Sequence, residues 1–415
     1  MAHQAVVELD TAGGGERILD TLPRTAWVEV DLGAIVANLG VLRAAAGGDV
    51  PVHPVVKADA YGHGAVPVAR ALAEAGADGL CVATIDEAVA LRDAGVRIPI
   101  LVLYPIPEPW VQVAATRGIA ITAGDPVLLA RTLDAAGRGR GRRPIRIHLE
   151  VETGLGRGGF RGQALIDAAG AIVRDPAARL DGLWTHLQAP EDATLTARQL
   201  EAFDQAAANL EASGIRLPRR HVRASGSLLA DDVASYAGVR PGLSIYGLVP
   251  DELSGVNLKP TAGALRPALS VHARPVRVAD LDAGWGVSYG PTFRTGRPAR
   301  IATLPLGYGD GWSRALSNRA EALVRGHRVP LVGNVAMDAV MADVTDVPGE
   351  PVGVDDRFVL IGVQGSTTIS VADVARARGT NAWEVVTGLA RRLPRVYHAA
   401  SGPSSVRTLV SRGTG

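Results

Sequence analysis

The chain contains very little cysteine and very little lysine. One cysteine, Cys81, stands in 415 residues, and a single thiol excludes an intrachain disulfide and a cysteine-based zinc site. Only Lys57 and Lys259 are lysines among the 43 basic residues. Arginine stays protonated at working pH, whereas a lysine amine can lose its proton and act as a nucleophile or base. Lys57 directly follows the apolar run 52–56 and is therefore the first candidate for chemistry.

An excess of charge of one sign and long apolar runs are also absent. The 43 basic and 42 acidic side chains nearly cancel, which gives no support to binding of nucleic acid or of an anionic membrane. The arginine-rich run 137–143 has no interleaved aromatic residue and is interpreted as a solvated loop. No segment could span a bilayer, and the first twenty residues lack the pattern of a signal peptide. These absences and the lone thiol predict a cytoplasmic protein that acts on a small molecule.

Short apolar runs alternate with alanine-rich helical stretches in the first 250 residues. Helical patterns cover 65–75, 86–93 and 196–212. The apolar runs predict eight strands: 52–57, 79–84, 98–104, 119–122, 145–151, 180–187, 221–225 and 239–246. A β-α unit repeated eight times predicts an α/β fold, a (β/α)₈ TIM-like barrel, whose chemistry collects at the C-terminal ends of the strands.

A second, mostly β domain is predicted after the barrel, because the sequence there becomes rich in valine, threonine, glycine and proline. Its predicted strands are 274–278, 300–304, 322–335 and 357–361. The predicted division is an N-terminal extension at 1–23, the barrel at 24–258, a β-rich C-terminal domain at 259–405 and a tail at 406–415.

A glycine-rich motif at 154–159 matches the G-x-G-x-x-G pattern directly after a predicted strand, which is typical of dinucleotide binding. The motif lies in the middle of the chain, and Arg157 stands inside its tight loop. No strand ends in an acidic residue about twenty positions later to bind a ribose. A dehydrogenase is therefore disfavoured relative to the barrel.

Several motifs along the chain together resemble one family. The segment 56–64, which contains Lys57, resembles the cofactor-lysine signature of the pyridoxal-phosphate-dependent alanine racemases. The supporting motifs are 27–32, 152–157, 185–186, 239–242 with 246–248, 287–290 and 337–338, in family order. The resemblance implies a barrel followed by a β domain, a homodimer with shared active sites, and interconversion of L-alanine and D-alanine for peptidoglycan.

The resemblance also implies two bases on opposite faces of the substrate. Lys57 would hold the cofactor and be freed as an amine when substrate displaces it. Tyr289 of the partner subunit would be the second base, although a phenol is a weak base unless cations and hydrogen bonds lower its pKa.

The remaining cofactor contacts follow from the same resemblance. Four residues are assigned to the phosphate: Tyr61, Ser225, Gly242 and Leu243. Arg240 would face the pyridine nitrogen and leave it unprotonated, because a guanidinium does not give up its proton easily. His186 would order Arg240. No metal site is predicted.

Substrate contacts fall on three residues by resemblance, and three positions depart from the family pattern. One departure is Ala224, which precedes Ser225 where some relatives have asparagine. Arg157, Met337 and Asp338 would bind the substrate. Glu150 stands where many relatives have a carbamylated lysine, and we interpret it as a permanent negative charge that orients Arg157 without carbon dioxide. Trp383 stands near a tyrosine that contacts phosphate in relatives, and an indole can donate a hydrogen bond but cannot accept one.

Three alternatives share this scaffold or part of it. A racemase of broader specificity, or one for serine, is left open by the changes at Glu150 and Trp383, since one hydroxyl or methylene changes binding by only about 1–3 kcal/mol. Barrel-type amino-acid decarboxylases, as a family, use a cysteine of the second domain as an acid, whereas Cys81 falls in the barrel. Non-catalytic cofactor-carrying proteins resemble the barrel alone.

Overall fold

A computed structural model describes residues 5–8, 19, 21–139, 143–216, 219–230, 236–399 and 402–409 of the protein. The chain forms two compact units. We call Ala34–Ala60 with Ala65–Arg266 the barrel unit, and Met1–Gly33 with Tyr61–Gly64 and Pro267–Gly415 the β unit. Among the described residues, no helix combines the length and the apolar character needed to cross a membrane.

Parallel strands form the centre of the barrel unit. Six strands pair in chain order: Leu80–Val82, Ile100–Val102, Ile119–Ala123, Ile145–Glu150, Ala178–Trp184 and Arg219–His221. Isolated parallel bridges then connect Val52 to Val239, Val55 to Cys81 and Ala224 to Arg240. These bridges add the first and last predicted strands and close the ring, so the predicted barrel is confirmed.

Helices follow the barrel strands, and their sequences explain why they form. Helix Leu32–Ala46 begins in the last two residues of the first segment of the β unit. The other helices of the unit are Ala65–Glu74, Ile85–Asp93, Val111–Thr116, Pro126–Gly137, Gly162–Arg174, Ala193–Ala212, Ser225–Ala230 and Pro260–Gly263. Helix Gly162–Arg174 buries Leu165, Ala168 and Ile172, which lie on one face at helical spacing. Asp125 and Asp192 accept hydrogen bonds from backbone amides at the starts of their helices and so satisfy unpaired donors there.

The β unit contains one long sheet and a small hairpin. The path of the sheet runs Ala5–Glu8, Gly402–Thr408, Arg395–Ala399, Ala26–Asp31, Leu269–Ala273, Phe358–Gln364, Glu321–Val324, His327–Val332, Val340–Asp343, Ala299–Leu304 and Arg277–Leu281, with Thr367–Ile369 beside Phe358–Gln364. Gly286–Val287 pairs with Phe293–Arg294. Among the described residues, this unit also contains the helices Val371–Arg378 and Ala382–Thr387.

The structure differs from the sequence prediction in a strand of the β unit, in the position of another strand, and at the two chain ends. The predicted strand 322–335 is a hairpin, because Arg325 and Gly326 adopt left-handed conformations, with φ of 53° and 82°, and turn the chain. The strand Ala26–Asp31, which the predicted boundaries include in the barrel, pairs with Leu269–Ala273 and Arg395–Ala399 in the β unit.

Both chain ends also carry strands that the predicted extension and tail leave out. Ala5–Glu8 pairs with Gly402–Thr408, so the regular structure continues past the predicted start of the tail. Residues 9–18 of the extension, residues 410–415 of the tail and residues 140–142 of the arginine-rich run lie outside the described residues.

A partly buried ionic cluster connects neighbouring strands of the long sheet. Glu29 accepts hydrogen bonds from Trp27 Nε1 at 2.9 Å and from Arg357 at 2.6 Å. His398 lies 3.3 Å from the same carboxylate, and the His272 ring stacks on Trp27. Burial alone would raise the pKa of Glu29, but His398, His272, Trp27 and Arg357 outweigh it and lower the pKa from 4.5 to about 2.

We expect Glu29→Gln to lower the free energy of unfolding by about 2 kcal/mol at pH 7. The folded-state pKa is below the unfolded value, so the carboxylate stabilises the fold above pH 4.5, and this stabilisation is lost as the pH falls towards 2. Urea titrations at neutral and acidic pH measure the difference, which should shrink on acidification. Glu321→Gln, which removes the exposed ion pair with Arg328, is the control and should change little. An acid-independent difference would contradict the assignment.

Candidate active site

Lys57 begins a short left-handed turn, not the end of a regular strand. Ala58, Asp59 and Ala60 have φ between 53° and 57°, and Tyr61 has φ of 52°. This conformation costs roughly 1–2 kcal/mol per non-glycine residue, so the surroundings must hold it in place. The turn therefore marks this segment as a strained site, where function is commonly found.

Side chains and backbone around the turn supply that support. Glu87 Oε1 accepts a hydrogen bond from the amide of Ala58 at 2.6 Å, and the amide of Ala60 donates to Val56 at 2.9 Å. Asp59 Oδ1 accepts from the amide of Ala65 at 2.8 Å. Hydrogen bonds therefore fix residues Ala58, Asp59 and Ala60 of the turn, and with them the backbone of Lys57.

The Lys57 amine lies in a half-buried, positively charged environment. Burial lowers the pKa of Lys57, and the charge of Arg157 lowers it further. A lysine of lowered pKa is deprotonated in a larger fraction at neutral pH, and only the neutral amine attacks a carbonyl or accepts a proton.

Arg157 is held by the carboxylate that the sequence assigned to this task. Its Nη2 donates to Glu150 Oε1 at 2.8 Å, and Glu150 is buried. The guanidinium carbon lies 5.8 Å from the ring centre of Tyr104 and 5.9 Å from that of Trp184. An ion pair and two aromatic faces therefore orient Arg157.

Arg240 is buried and is satisfied by carbonyl oxygens and an imidazole. One terminal nitrogen donates to His221 Nδ1 at 2.5 Å and to the His221 carbonyl at 2.8 Å. The other donates to Thr185 and Val222 carbonyls at 2.9 and 3.2 Å. Burial lowers the pKa of Arg240 to about 10, so the guanidinium stays charged at neutral pH.

His186 lies near Arg240, but no hydrogen bond joins the two side chains among the described residues. The hydrogen bonds of Arg240 within the described ranges go to His221 and to carbonyls, so His221 orders the guanidinium. Burial, followed by the charges of Arg240, Arg157 and Lys57, lowers the pKa of His186 to about 3. His186 is therefore a neutral side chain close to these three cations.

Donors converge on Ser225 at the last barrel strand. Its Oγ accepts from the amides of Gly242 and Ser244 at 2.9 and 3.2 Å, and the Ser244 hydroxyl lies 3.0 Å away. Leu243 begins the 3₁₀ helix Leu243–Tyr246 at this corner. Two backbone amides and two hydroxyls in one small region are the donor set that binds phosphate oxygens.

Tyr61 and Trp383 lie in the β unit. Gly62, directly after Tyr61, packs closely on helix Ala382–Thr387: a Cβ at that position would lie 2.1 Å from the carbonyl of Val386, one turn after Trp383. Arg395 donates from two nitrogens to the carbonyl of Gly62, at 3.2 and 3.3 Å. Tyr61 and the helix that carries Trp383 are therefore held together.

Tyr289 stands on an exposed loop of the β unit whose backbone is fixed. Its side chain is 78% exposed. Asn334 donates to the carbonyls of Tyr289 and Gly290 at 2.8 and 3.1 Å, and the Ser288 hydroxyl donates back to the Asn334 carbonyl at 2.6 Å. The ring of Tyr289 is therefore available to another molecule on a loop of fixed backbone.

Met337 and Asp338 share a second anchored loop of the β unit. The amide of Gly309 donates to the Met337 carbonyl at 2.8 Å. Arg392 donates to Asp338 at 2.6 Å and to the fully buried Asp310 at 2.7 Å. The buried carboxylate thus orients the arginine that holds Asp338.

Sequence analysis missed several residues that organise these groups. Glu87 supports the Lys57 turn, and Trp184 contacts both Arg157 and Arg240. His221 holds Arg240, and Asn334 holds the Tyr289 loop. His221 is the first residue of the predicted strand 221–225, whereas the structure places it at the C-terminal end of strand Arg219–His221, where barrel chemistry collects.

Family models match most of the chain. A model described as "Alanine racemase, N-terminal domain" matches residues 30–250. A model described as "Alanine racemase, C-terminal domain" matches residues 268–397.

Individual relatives give the same result. An alanine racemase of Symbiobacterium thermophilum is 41% identical over 90% of this chain and 97% of its own length. One from Sorangium cellulosum is 39% identical over 90% of this chain and 99% of its own. The crystal structure of alanine racemase from Bacillus anthracis with bound L-Ala-P has a TM-score of 0.85 and 35% identity, and the similarity covers 93% of this chain and 98% of that one.

Removing the Arg157 charge should raise the pKa of Lys57. In Arg157→Leu, the pH midpoint for acetylation of Lys57 by acetic anhydride should move upward, because the cation that disfavours the ammonium is gone. Peptide mass spectrometry of the cofactor-free protein measures the midpoint, and Lys259, the second lysine, is the internal reference. An unchanged midpoint would show that burial alone sets the pKa of Lys57.

Proposed function

The chain belongs to the alanine racemase family and racemises alanine with pyridoxal phosphate, and we propose that its two bases are Lys57 and Tyr289 of the partner subunit. The observation that carries this proposal is the half-buried Lys57 amine, whose pKa is lowered by burial and by Arg157. Racemisation removes the Cα proton from one face and returns a proton to the other, so it needs a base on each face.

The donor groups of the barrel unit fit the cofactor. Ser225 and the amides of Gly242 and Ser244 suit the phosphate, and Leu243 and Tyr61 are proposed beside them. Arg240, which has only donors, would meet the ring nitrogen and leave it unprotonated. When bound, pyridoxal phosphate withdraws electrons from the substrate Cα and makes its proton acidic.

Lys57 would have two tasks. Its neutral amine would bind the cofactor covalently, and once released it would exchange a proton with the substrate Cα. His186, proposed near the cofactor, adds no positive charge because its own pKa is lowered by burial and by the surrounding cations. Arg157 would bind the substrate carboxylate while Glu150 holds it in place.

The β unit would complete the active site of a partner subunit. Tyr289 is exposed on a fixed loop, and Met337, 54% exposed, lies on another. In a homodimer with shared sites, Tyr289 would face the substrate opposite the partner's Lys57, and Met337 and Asp338 would meet its carboxylate.

We propose alanine as the preferred substrate, with a role for its D-isomer in peptidoglycan. The relatives compared above are named for alanine, which favours it over serine. Trp383 is proposed to narrow the pocket near the phosphate and would affect side-chain preference more than reaction type. A cytoplasmic location is supported by the free, buried thiol of Cys81.

Mixing two inactive variants tests the shared site. Lys57→Ala and Tyr289→Phe should each lose nearly all racemase activity, because each dimer then lacks one base at both sites. A hybrid dimer would contain one site with both changes and one intact site, so an equal mixture that exchanges subunits should recover roughly a quarter of wild-type activity. D-Alanine formation before and after denaturation and joint refolding measures the recovery.

A control mixture tests whether the recovered activity requires an intact site or arises from mixing and refolding alone. The double variant Lys57→Ala/Tyr289→Phe mixed with Lys57→Ala should stay inactive, since no hybrid contains an intact site. If the first mixture also stays inactive although hybrid dimers form, Tyr289 does not act across subunits.

Glu150 should make the enzyme independent of carbon dioxide. Added bicarbonate should leave wild-type activity unchanged, because the carboxylate already provides the charge that pairs with Arg157. Glu150→Gln should lose about tenfold in kcat/KM, the effect of removing one hydrogen bond to a charged group. Glu150→Lys should gain activity with bicarbonate, because a carbamylated lysine would restore the negative charge.

The glutamine variant is the matched control for this rescue, because its amide cannot be carbamylated. Racemase assays of the three proteins in degassed buffer and in bicarbonate decide the question. Stimulation of the wild type by bicarbonate would contradict the assigned role of Glu150.

A further inference from the structure

A chain of polar groups crosses the interior of the barrel unit from Arg240 to a carboxylate. Arg240 donates to His221 Nδ1 at 2.5 Å, and His221 Nε2 lies 2.8 Å from His148 Nδ1. His148 Nε2 in turn lies 3.7 Å from Asp181 Oδ2. Arg146 binds Asp181 at 2.6 Å and fixes that end of the chain.

The two ends of this chain leave only one arrangement of protons. Arg240 has only donors, so the His221 Nδ1 atom must accept, and the proton of a neutral His221 must lie on Nε2. That proton can be donated only if His148 Nδ1 accepts, which places the His148 proton on Nε2, facing Asp181. An ionised carboxylate has only acceptors, so both ends favour the same direction.

Both histidines are neutral, which makes the choice of tautomer meaningful. Burial, followed by the charge of Arg240, lowers the pKa of His221 well below its usual value. Burial also lowers the pKa of His148, although Asp181 opposes the shift. Other charged or titratable groups around the two rings are Arg146, His53, Arg219 and Cys81, and Arg179 binds Asp181 together with Arg146.

The structure leaves room for these polar groups inside the barrel unit. A Cβ on Gly182 would lie 2.0 Å from His148 Nδ1, so the ring can occupy its position only because residue 182 is glycine. A small cavity of about 50 Å³ is lined by Asp181, His148, His221 and Arg240. The Trp184 ring lies parallel to that of His221, with 6.2 Å between centres.

We propose that Asp181 is a positioning residue for Arg240, which it controls by fixing the tautomers of His148 and His221. With Asp181 ionised, His221 presents a lone pair to the guanidinium. With the opposite tautomers, His221 would present an N–H to a group that has only N–H donors, and Arg240 would lose this contact. The effect on catalysis rests on the proposed place of Arg240 against the cofactor ring.

The test uses Asp181→Asn in the holoenzyme and in the cofactor-free protein. An asparagine amide has nearly the same shape but can donate a proton to His148 Nε2, and so permits the opposite tautomers. Two-bond ¹⁵N–¹H correlation spectra of histidine-labelled protein report which ring nitrogen carries the proton. We expect protons on Nε2 of His148 and His221 in the wild type, a shift toward Nδ1 in Asp181→Asn, and about a tenfold loss of kcat.

Matched variants separate positioning from damage to the fold. Asp204→Asn alters another carboxylate of the barrel unit, which binds Arg220 at the surface, and should leave both readouts unchanged. Asp181→Glu keeps an acceptor-only group and should restore the wild-type tautomers and most of kcat. Gly182→Ala should displace His148 and lower kcat without further loss when it is combined with Asp181→Asn.

Each outcome decides for or against the proposal. Wild-type tautomers retained in Asp181→Asn, or changed tautomers without loss of kcat, would overturn it. If the wild type proved inactive toward alanine, the proposed function would fail, whereas the tautomers of the cofactor-free protein would still test the relay.

Discussion

The Arg240 guanidinium is buried, and in the described part of the chain no carboxylate hydrogen-bonds to it. The chemistry of the barrel unit depends on this constraint. Carbonyl oxygens and one imidazole satisfy its donors. The cation disfavours protonation of the histidines near it, and the pKa values of His186 and His221 are lowered by burial and then by Arg240. A second arginine, Arg157, extends the same effect to Lys57. Neutral bases near fixed cations suit a reaction in which a proton must leave carbon.

Much of this arrangement could be predicted from sequence, because it follows from local patterns. The apolar runs of strand length predict the barrel, and the isolated lysine after the first run, Lys57, is predicted as the central residue of the site. Glu150 and Arg157 could be paired through the family resemblance, and the structure places them 2.8 Å apart. These predictions succeed where a residue and its partner lie close in sequence.

The features that sequence analysis missed depend on contacts between distant residues. The left-handed turn after Lys57 is held by Glu87, thirty positions later, and no propensity predicts four consecutive left-handed non-glycine residues. The hydrogen bond between Arg240 and His221 depends on the geometry of adjacent strand ends, which sequence does not give. The hairpin at Arg325 and Gly326 was read as one strand because only one of its two turn residues is glycine.

The pairing of Ala26–Asp31 with Leu269–Ala273 has a consequence for synthesis of the protein. The first of these strands leaves the ribosome roughly 10–50 s before the second at ordinary elongation rates. During that interval its buried side chains, Trp27, Val28 and Val30 among them, have no sheet to join. The nascent chain therefore carries an unpaired apolar strand while the whole barrel sequence is being made, and this strand is exposed to aggregation until its partner strand has been synthesised.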